Sequence, residues 1–156
     1  LWRLRAPCAL YCHASGAILA GADERQEQAL ALYGRYLGLA FQLVDDLLDY
    51  EGDAKAMGKN VGDDLAEGKP TLPLIQAMAA GTPDQTRLVR RAIRKGGLDH
   101  LDEVLAIVKS TGALDYTRQK AEEMAAKALA ELDHLPPSPY RDSMAELARL
   151  AVERKT

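Results

Sequence analysis

The chain is predicted to fold as an all-α protein, on three observations. Alanine and leucine dominate, β-branched residues are few, and no strand-like alternation of apolar and polar residues persists. The 156 residues suffice for one compact domain with a real core, so residues 1–156 are expected to form a single all-α domain of about six to seven helices.

Taken in order, a first helix is expected over roughly 8–20, after Pro7. A long one follows over 24–51, with Asp23 as N-cap and Gln26 at the third helical position reaching back to it. Residues 51–70, "EGDAKAMGKNVGDDLAEGKP", show no helical period, and loops of this length are uncommon unless functional or disordered. A helix over 71–80 precedes one over 83–95, for which Thr82 is the N-cap, Pro83 the first helical residue and Gln85 the reciprocal cap. Gly96-Gly97 ends it. Helices over 98–110 and 113–134 are separated at Gly112, and "PPSP" at 136–139 forces a turn before the last, 139–154.

Composition narrows the function classes. Charged residues make up 28% of the chain, which is globular rather than disordered, and the net charge of −3 gives no reason to expect a nucleic-acid partner. No apolar run reaches the roughly 18 residues a membrane span requires. The start, "LWRLRAPCALYCHASGAILAGA", imitates a signal peptide, but Pro7, His13 and Gly16 interrupt its apolar part. Cys8 and Cys12 are expected to be reduced thiols, and a cytoplasmic location follows. The chain opens on leucine rather than methionine, as a piece of a longer protein would.

The stretch "AFQLVDDLLDY", residues 40–50, sets three aspartates among apolar residues of the long helix. At 100° per residue, Asp45, Asp49, Gln42 and Asp46 fall within a sector about 100° wide, and the other faces are apolar. An acidic stripe can simply face water. Here, however, no base offsets the three acids at helical spacing, and aspartate is a poor helix former. Carboxylates ~6 Å apart also repel by roughly 2–3 kcal/mol per pair at an effective dielectric near 20. A divalent cation removes that repulsion, and an all-oxygen donor set without His or Cys favours Mg²⁺ over zinc. Just beyond lie Gly58-Lys59 and Gly68-Lys69. Glycine lets the backbone approach a bulky anion, and lysine supplies a point charge suited to phosphate.

Together, "FQLVDDLLDY" and "GKNVGDDLAEGKPTLPL" resemble the second aspartate-rich motif and following lysine loop of the trans-type isoprenyl (polyprenyl) diphosphate synthases, in the register FQxxDDxxD, GK, GxDxxxGKxTxP. "ALYGRYLGLAFQ" upstream and "ALDYTRQKAEEMAAKALAEL" downstream extend the likeness, most closely to the long-chain bacterial branch that makes octaprenyl diphosphate. It covers roughly residues 15–155. Residues 1–14 depart from the family, and only its second motif is present, so a C-terminal portion of the isoprenoid synthase helical bundle is expected.

The resemblance implies a prenyltransferase that condenses an allylic diphosphate with isopentenyl diphosphate into a long all-trans polyprenyl diphosphate for isoprenoid and quinone side chains. It implies Asp45, Asp46 and Asp49 as Mg²⁺ ligands, with Asp45, Asp46 and Lys59 in the catalytic machinery. Lys59 and Lys69 would hold the allylic diphosphate, Phe41 and Gln42 would line the pocket, and Asp64 would orient a lysine. It further implies a homodimer with no membrane span, peripheral membrane contact through the product, and little activity for this portion alone. Two other readings stay open: a non-catalytic helical dimerisation or regulatory module, and a class I terpene cyclase. The ExxH of Glu131 and His134 lacks the second such motif a di-iron bundle requires, so those residues, His13 and His100 are expected to be ordinary surface or partly buried side chains.

Overall fold

The computed structural model describes residues 2–51 and 61–154, with side chains from residue 8 onward. Among these residues are α1 (Trp2–Leu19), α2 (Glu24–Glu51), α3 (Asp63–Ala66), α4 (Leu72–Ala80), α5 (Pro83–Lys95), α6 (Leu101–Ser110), α7 (Ala113–Glu131), a 3₁₀ turn (Leu132–His134) and α8 (Pro139–Glu153), and no strand.

The caps expected from sequence are formed. The Gln26 amide donates to Asp23 Oδ1 at 2.9 Å, and the Asp23 N–H donates to Gln26 Oε1 at 3.4 Å. Thr82 and Gln85 make the same reciprocal pair at 3.3 and 2.8 Å, with Pro83 opening α5. Gly96 and Gly97 leave α5 at positive φ. Ser138 Oγ accepts from the Arg141 amide at the start of α8.

Four boundaries differ from the sequence reading, each for a local reason. The first helix begins at Trp2 and runs through Pro7, since proline's fixed φ lies within the helical range. The stretch expected to be non-helical contains the single turn α3. The helix expected from residue 98 begins at Leu101, because the Leu101 amide first closes a tighter turn onto the Leu98 carbonyl. The helix expected to reach 134 tightens into 3₁₀ geometry from Leu132, where the Leu135 N–H bonds the Leu132 carbonyl just before two prolines.

The chain divides into two compact units. The first holds the described residues of 1–44 and 120–154. Its core packs Tyr33, Leu37, Ala128, Leu132, Ala148 and Ala151, with Tyr33 fully buried and its hydroxyl donating to the Met144 carbonyl at 2.8 Å. At Gly34 the two N-terminal helices touch. A Cβ there would meet the Ala9 carbonyl oxygen at 2.5 Å, so only glycine permits the crossing. Cys8 and Cys12 are exposed free thiols, as expected. His13 lies edge-on to Tyr33 at 5.1 Å, and His134 is an exposed residue bonded to Arg25.

The second unit holds the described residues of 45–119. There α4 packs on α5 and α6, α5 packs on α6, and α3 rests on α5. Its core centres on Leu65, Leu74, Val89, Val104 and Val108, which are fully buried, with Tyr50 from the end of α2. His100 is a partly buried residue bonded to Glu103. No described helix is long and apolar enough to cross a membrane.

Candidate active site

The aspartates occupy the last two turns of α2, in the second unit. Asp46 is buried at 8% exposure, and Asp45 and Asp49 are half-buried. A stripe whose purpose was to face water would be exposed, so the solvated-face alternative does not describe it. Burial pushes the Asp49 carboxyl up to about 6, with a smaller contribution from the neighbouring charge of Asp64. The Asp64 backbone N–H, donating to Asp49 Oδ2 at 3.2 Å, opposes that rise without cancelling it.

The chain leading into α3 is tied directly to this helix end. The Gly62 N–H donates to the Asp49 carbonyl at 3.0 Å. Gly62 sits at φ +86°, a conformation that favours glycine, and its bare Cα leaves room for the Leu101 side chain, whose Cδ1 would lie 2.4 Å from an added Cβ. From Gly62, α3 delivers Asp64 to Asp49, and the following turn brings Lys69 back. Lys69 Nζ donates to Asp64 Oδ1 at 3.0 Å and pairs with Glu67 Oε2 at 2.7 Å, while the Lys69 N–H donates to the Asp64 carbonyl at 2.8 Å. Its bonds to Glu67 and then Asp64 hold the ammonium well above the usual lysine range, so Lys69 is a fixed positive charge. Among the described residues, Lys69 is the loop lysine bonded to Asp64.

Two contacts that the sequence reading did not assign brace this corner. Tyr50, buried at 3% exposure, sets its hydroxyl 3.3 Å from Thr71 Oγ1, linking the end of α2 to the residue that precedes α4. Both residues stand in the quoted motif, and an aromatic directly after the last aspartate is the signal that could have flagged Tyr50. Glu51 accepts two 2.7 Å hydrogen bonds from Arg118. Separated by so much chain, that pair has no sequence signature.

Lys59 lies outside the described residues. Phe41 belongs to the first unit, where the Arg154 guanidinium stacks 4.1 Å from its ring centre. There it lines an apolar cavity of about 540 Å³ with Leu37, Gly38, Leu147, Leu150 and Ala151. Gln42 is half-buried on the same helix.

The donors fit a hard divalent cation. They are carboxylate oxygens, and the partly desolvated Asp49 gains by having positive charge beside it. Among the described residues no three Asp, Glu, His or Cys side chains converge on one point. The protein would therefore offer few carboxylates and leave the remaining positions to water and phosphate oxygens, which is how Mg²⁺ is usually held.

Residues 6–110 match the Polyprenyl synthetase family. The chain belongs to that family. It is 55% identical over 138 residues to the octaprenyl diphosphate synthase of Escherichia coli K12, covering 88% of this chain and 43% of that protein. It is 50% identical over 138 residues to the geranyl-diphosphate-specific all-trans-nonaprenyl-diphosphate synthase of Rhodobacter capsulatus, covering 88% and 42%. This polyprenyl synthetase chain thus spans less than half the length of these curated relatives. Its fold superposes on the Caulobacter crescentus polyprenyl synthase solved with calcium and isoprenyl diphosphate, with a TM-score of 0.84 and 41% identity over 95% of this chain and 46% of that one. The Rhodobacter capsulatus decaprenyl diphosphate synthase gives a TM-score of 0.87 and 39% identity over 97% and 47%. The polyprenyl synthetase chain accordingly has the all-α isoprenyl synthase fold.

Proposed function

We propose that this chain carries the diphosphate-and-metal half of a long-chain trans-prenyltransferase. The enzyme would join an allylic diphosphate to isopentenyl diphosphate, with octaprenyl length favoured by the relatives' names. The observation that carries the reading is the hydrogen-bonded run Asp49–Asp64–Lys69. A partly desolvated acidic helix end thus stands next to a fixed ammonium.

In this reaction the allylic C–O bond breaks heterolytically and pyrophosphate leaves. The isopentenyl double bond attacks the allylic cation, a C–C bond forms, and a proton is lost from the adduct. Asp45, Asp46 and Asp49 would hold Mg²⁺, directly or through water, and when bound it supplies positive charge to the departing diphosphate. Lys69, fixed by Asp64 and Glu67, would bind the same group from the loop side together with Lys59, and its position before substrate arrives lowers the cost of ordering it. Phe41 and Gln42 would line the path of the prenyl chain, a role suited to Phe41's place in an apolar cavity. We assign the working protein as a cytoplasmic homodimer.

Incubating the chain with labelled allylic and isopentenyl diphosphates and Mg²⁺ should give little or no elongation, because a single carboxylate cluster holds metal weakly. Mg²⁺ with pyrophosphate should nonetheless raise the melting temperature more than either alone. Absence of that joint shift would refute the assignment.

A second reading, a non-catalytic dimerisation module, is favoured by the exposure of Tyr11, Ile18 and Leu19 along α1. Light scattering, read beside the melting shift, separates the two. Self-association without a ligand-dependent shift would favour the module.

A further inference from the structure

The strongest charge feature outside the diphosphate site is on α5. Arg87, Arg90, Arg91, Arg94 and Lys95 all lie on its exposed face, while Val89 and Ala92 point into the core. On a helical projection the five cations fill a sector about 140° wide. Only the end members have acidic partners, Arg87 with Asp84 and Lys95 with Asp99. Among the described residues Arg90, Arg91 and Arg94 make no ion pair. The five side chains together line one surface depression of about 500 Å³, and no acidic residue contributes to its wall.

This arrangement weakens the helix. Arg87 and Arg91, Arg90 and Arg94, and Arg91 and Lys95 are like charges one turn apart, a spacing that is destabilising. The helix dipole accounts for cations in the last turn, Arg94 and Lys95, but not for Arg90 and Arg91. A solvated face would mix signs at this spacing. A face that concentrates guanidinium groups, which bind phosphate in a bidentate way, needs an anionic complement outside the chain.

We infer that the cationic face of α5 docks the protein on an anionic lipid surface, with headgroup phosphates seated among the arginines. Two features select a bilayer over other polyanions. The five cations are gathered on one helix of 13 residues in a chain whose net charge is −3, so they form a local patch that headgroups can meet and a long nucleic acid would overrun. Leu98, three residues past Lys95, is 43% exposed and can enter a headgroup layer. The contact is electrostatic and peripheral, since the apolar side of α5 is used in the core. It involves none of the residues assigned to the diphosphate site, so its failure would leave that reading untouched.

The test is co-sedimentation with vesicles of phosphatidylcholine containing 30% phosphatidylglycerol, against vesicles of phosphatidylcholine alone. The native protein should partition onto the anionic vesicles only, at 50 mM salt, and should be released at 500 mM. R90Q/R91Q/R94Q changes three exposed positions and should lower the partition by roughly 100-fold, at about fivefold per cation lost near the surface. R149Q, on another exposed arginine, should change it less than twofold. Equal binding to both vesicle types, binding that survives 500 mM salt, or equal losses in the triple and control variants would overturn the proposal. So would a fluorescent single-stranded oligonucleotide that displaces the protein from the anionic vesicles at equal phosphate concentration. The salt arm requires no variant and therefore stands even if the triple substitution disturbs folding.

Discussion

Asp49→Asn should make the metal-free protein more stable while abolishing its response to Mg²⁺ and pyrophosphate. The native carboxyl is pushed from 3.8 to about 6, chiefly by burial. Two units at 1.36 kcal/mol each correspond to about 3 kcal/mol of penalty on the charged form. Solvent still reaches the half-buried group and screens it, which brings the expected gain to about 1–2 kcal/mol at pH 7.5. The asparagine Oδ1 can still accept the Asp64 N–H, so that bond is kept. The pH dependence follows from linkage. Between about pH 4 and pH 6 the folded protein binds more protons at this position than the unfolded chain, so native stability falls as pH rises through that window. Below about pH 4 both states are protonated and the penalty vanishes. Urea melts followed by circular dichroism, in chelator, should show the variant ahead by 1–2 kcal/mol at pH 7.5 and by little at pH 4. With Mg²⁺ and pyrophosphate the native protein should gain stability and the variant should not. A variant less stable than native at pH 7.5, or a difference independent of pH, would refute the claim that this helix end holds a carboxylate against its own desolvation.

Three further outcomes are expected in unit 2. Gly62→Ala puts a side chain at φ +86°, where the Leu101 side chain must also turn aside, so thermal melts should show a loss of about 1–2 kcal/mol, and the Asp49–Asp64 contact should loosen. Tyr50→Phe removes a buried hydrogen bond to Thr71 and should cost about 1 kcal/mol in urea melts, with the fold retained by circular dichroism. Asp64→Asn leaves Lys69 with Glu67 as its partner; it should lower pyrophosphate affinity several-fold by calorimetry while changing stability by less than 1 kcal/mol, because the pair is partly exposed.

Much of the helical layout was legible from short-range chemistry. Asp23 with Gln26, and Thr82 with Gln85, announce helix starts because a cap is decided within four residues. Gly96-Gly97 and Pro139 mark an end and a start for the same reason. The aspartate stripe was also legible, since side chains on one helix share a face by period alone. Boundaries moved where the rule was too coarse. Pro7 was read as a break, although its backbone angle is helical, and residues 98–100 were read as helix where a tighter turn forms first.

The corner around the aspartates depends on distance in the chain. That Asp49 meets the Asp64 backbone, that Tyr50 reaches Thr71, and that Glu51 takes Arg118 are contacts between segments whose approach is set by packing around Leu65, Leu74 and Val104. Burial of Asp46, and with it the difference between a solvated stripe and a desolvated one, is likewise a property of what surrounds the helix. Caps and periodicities are encoded locally because backbone groups at a helix end must find partners within a turn. Exposure and charge environment are sums over neighbours that no local window contains, so only the folded chain assigns them.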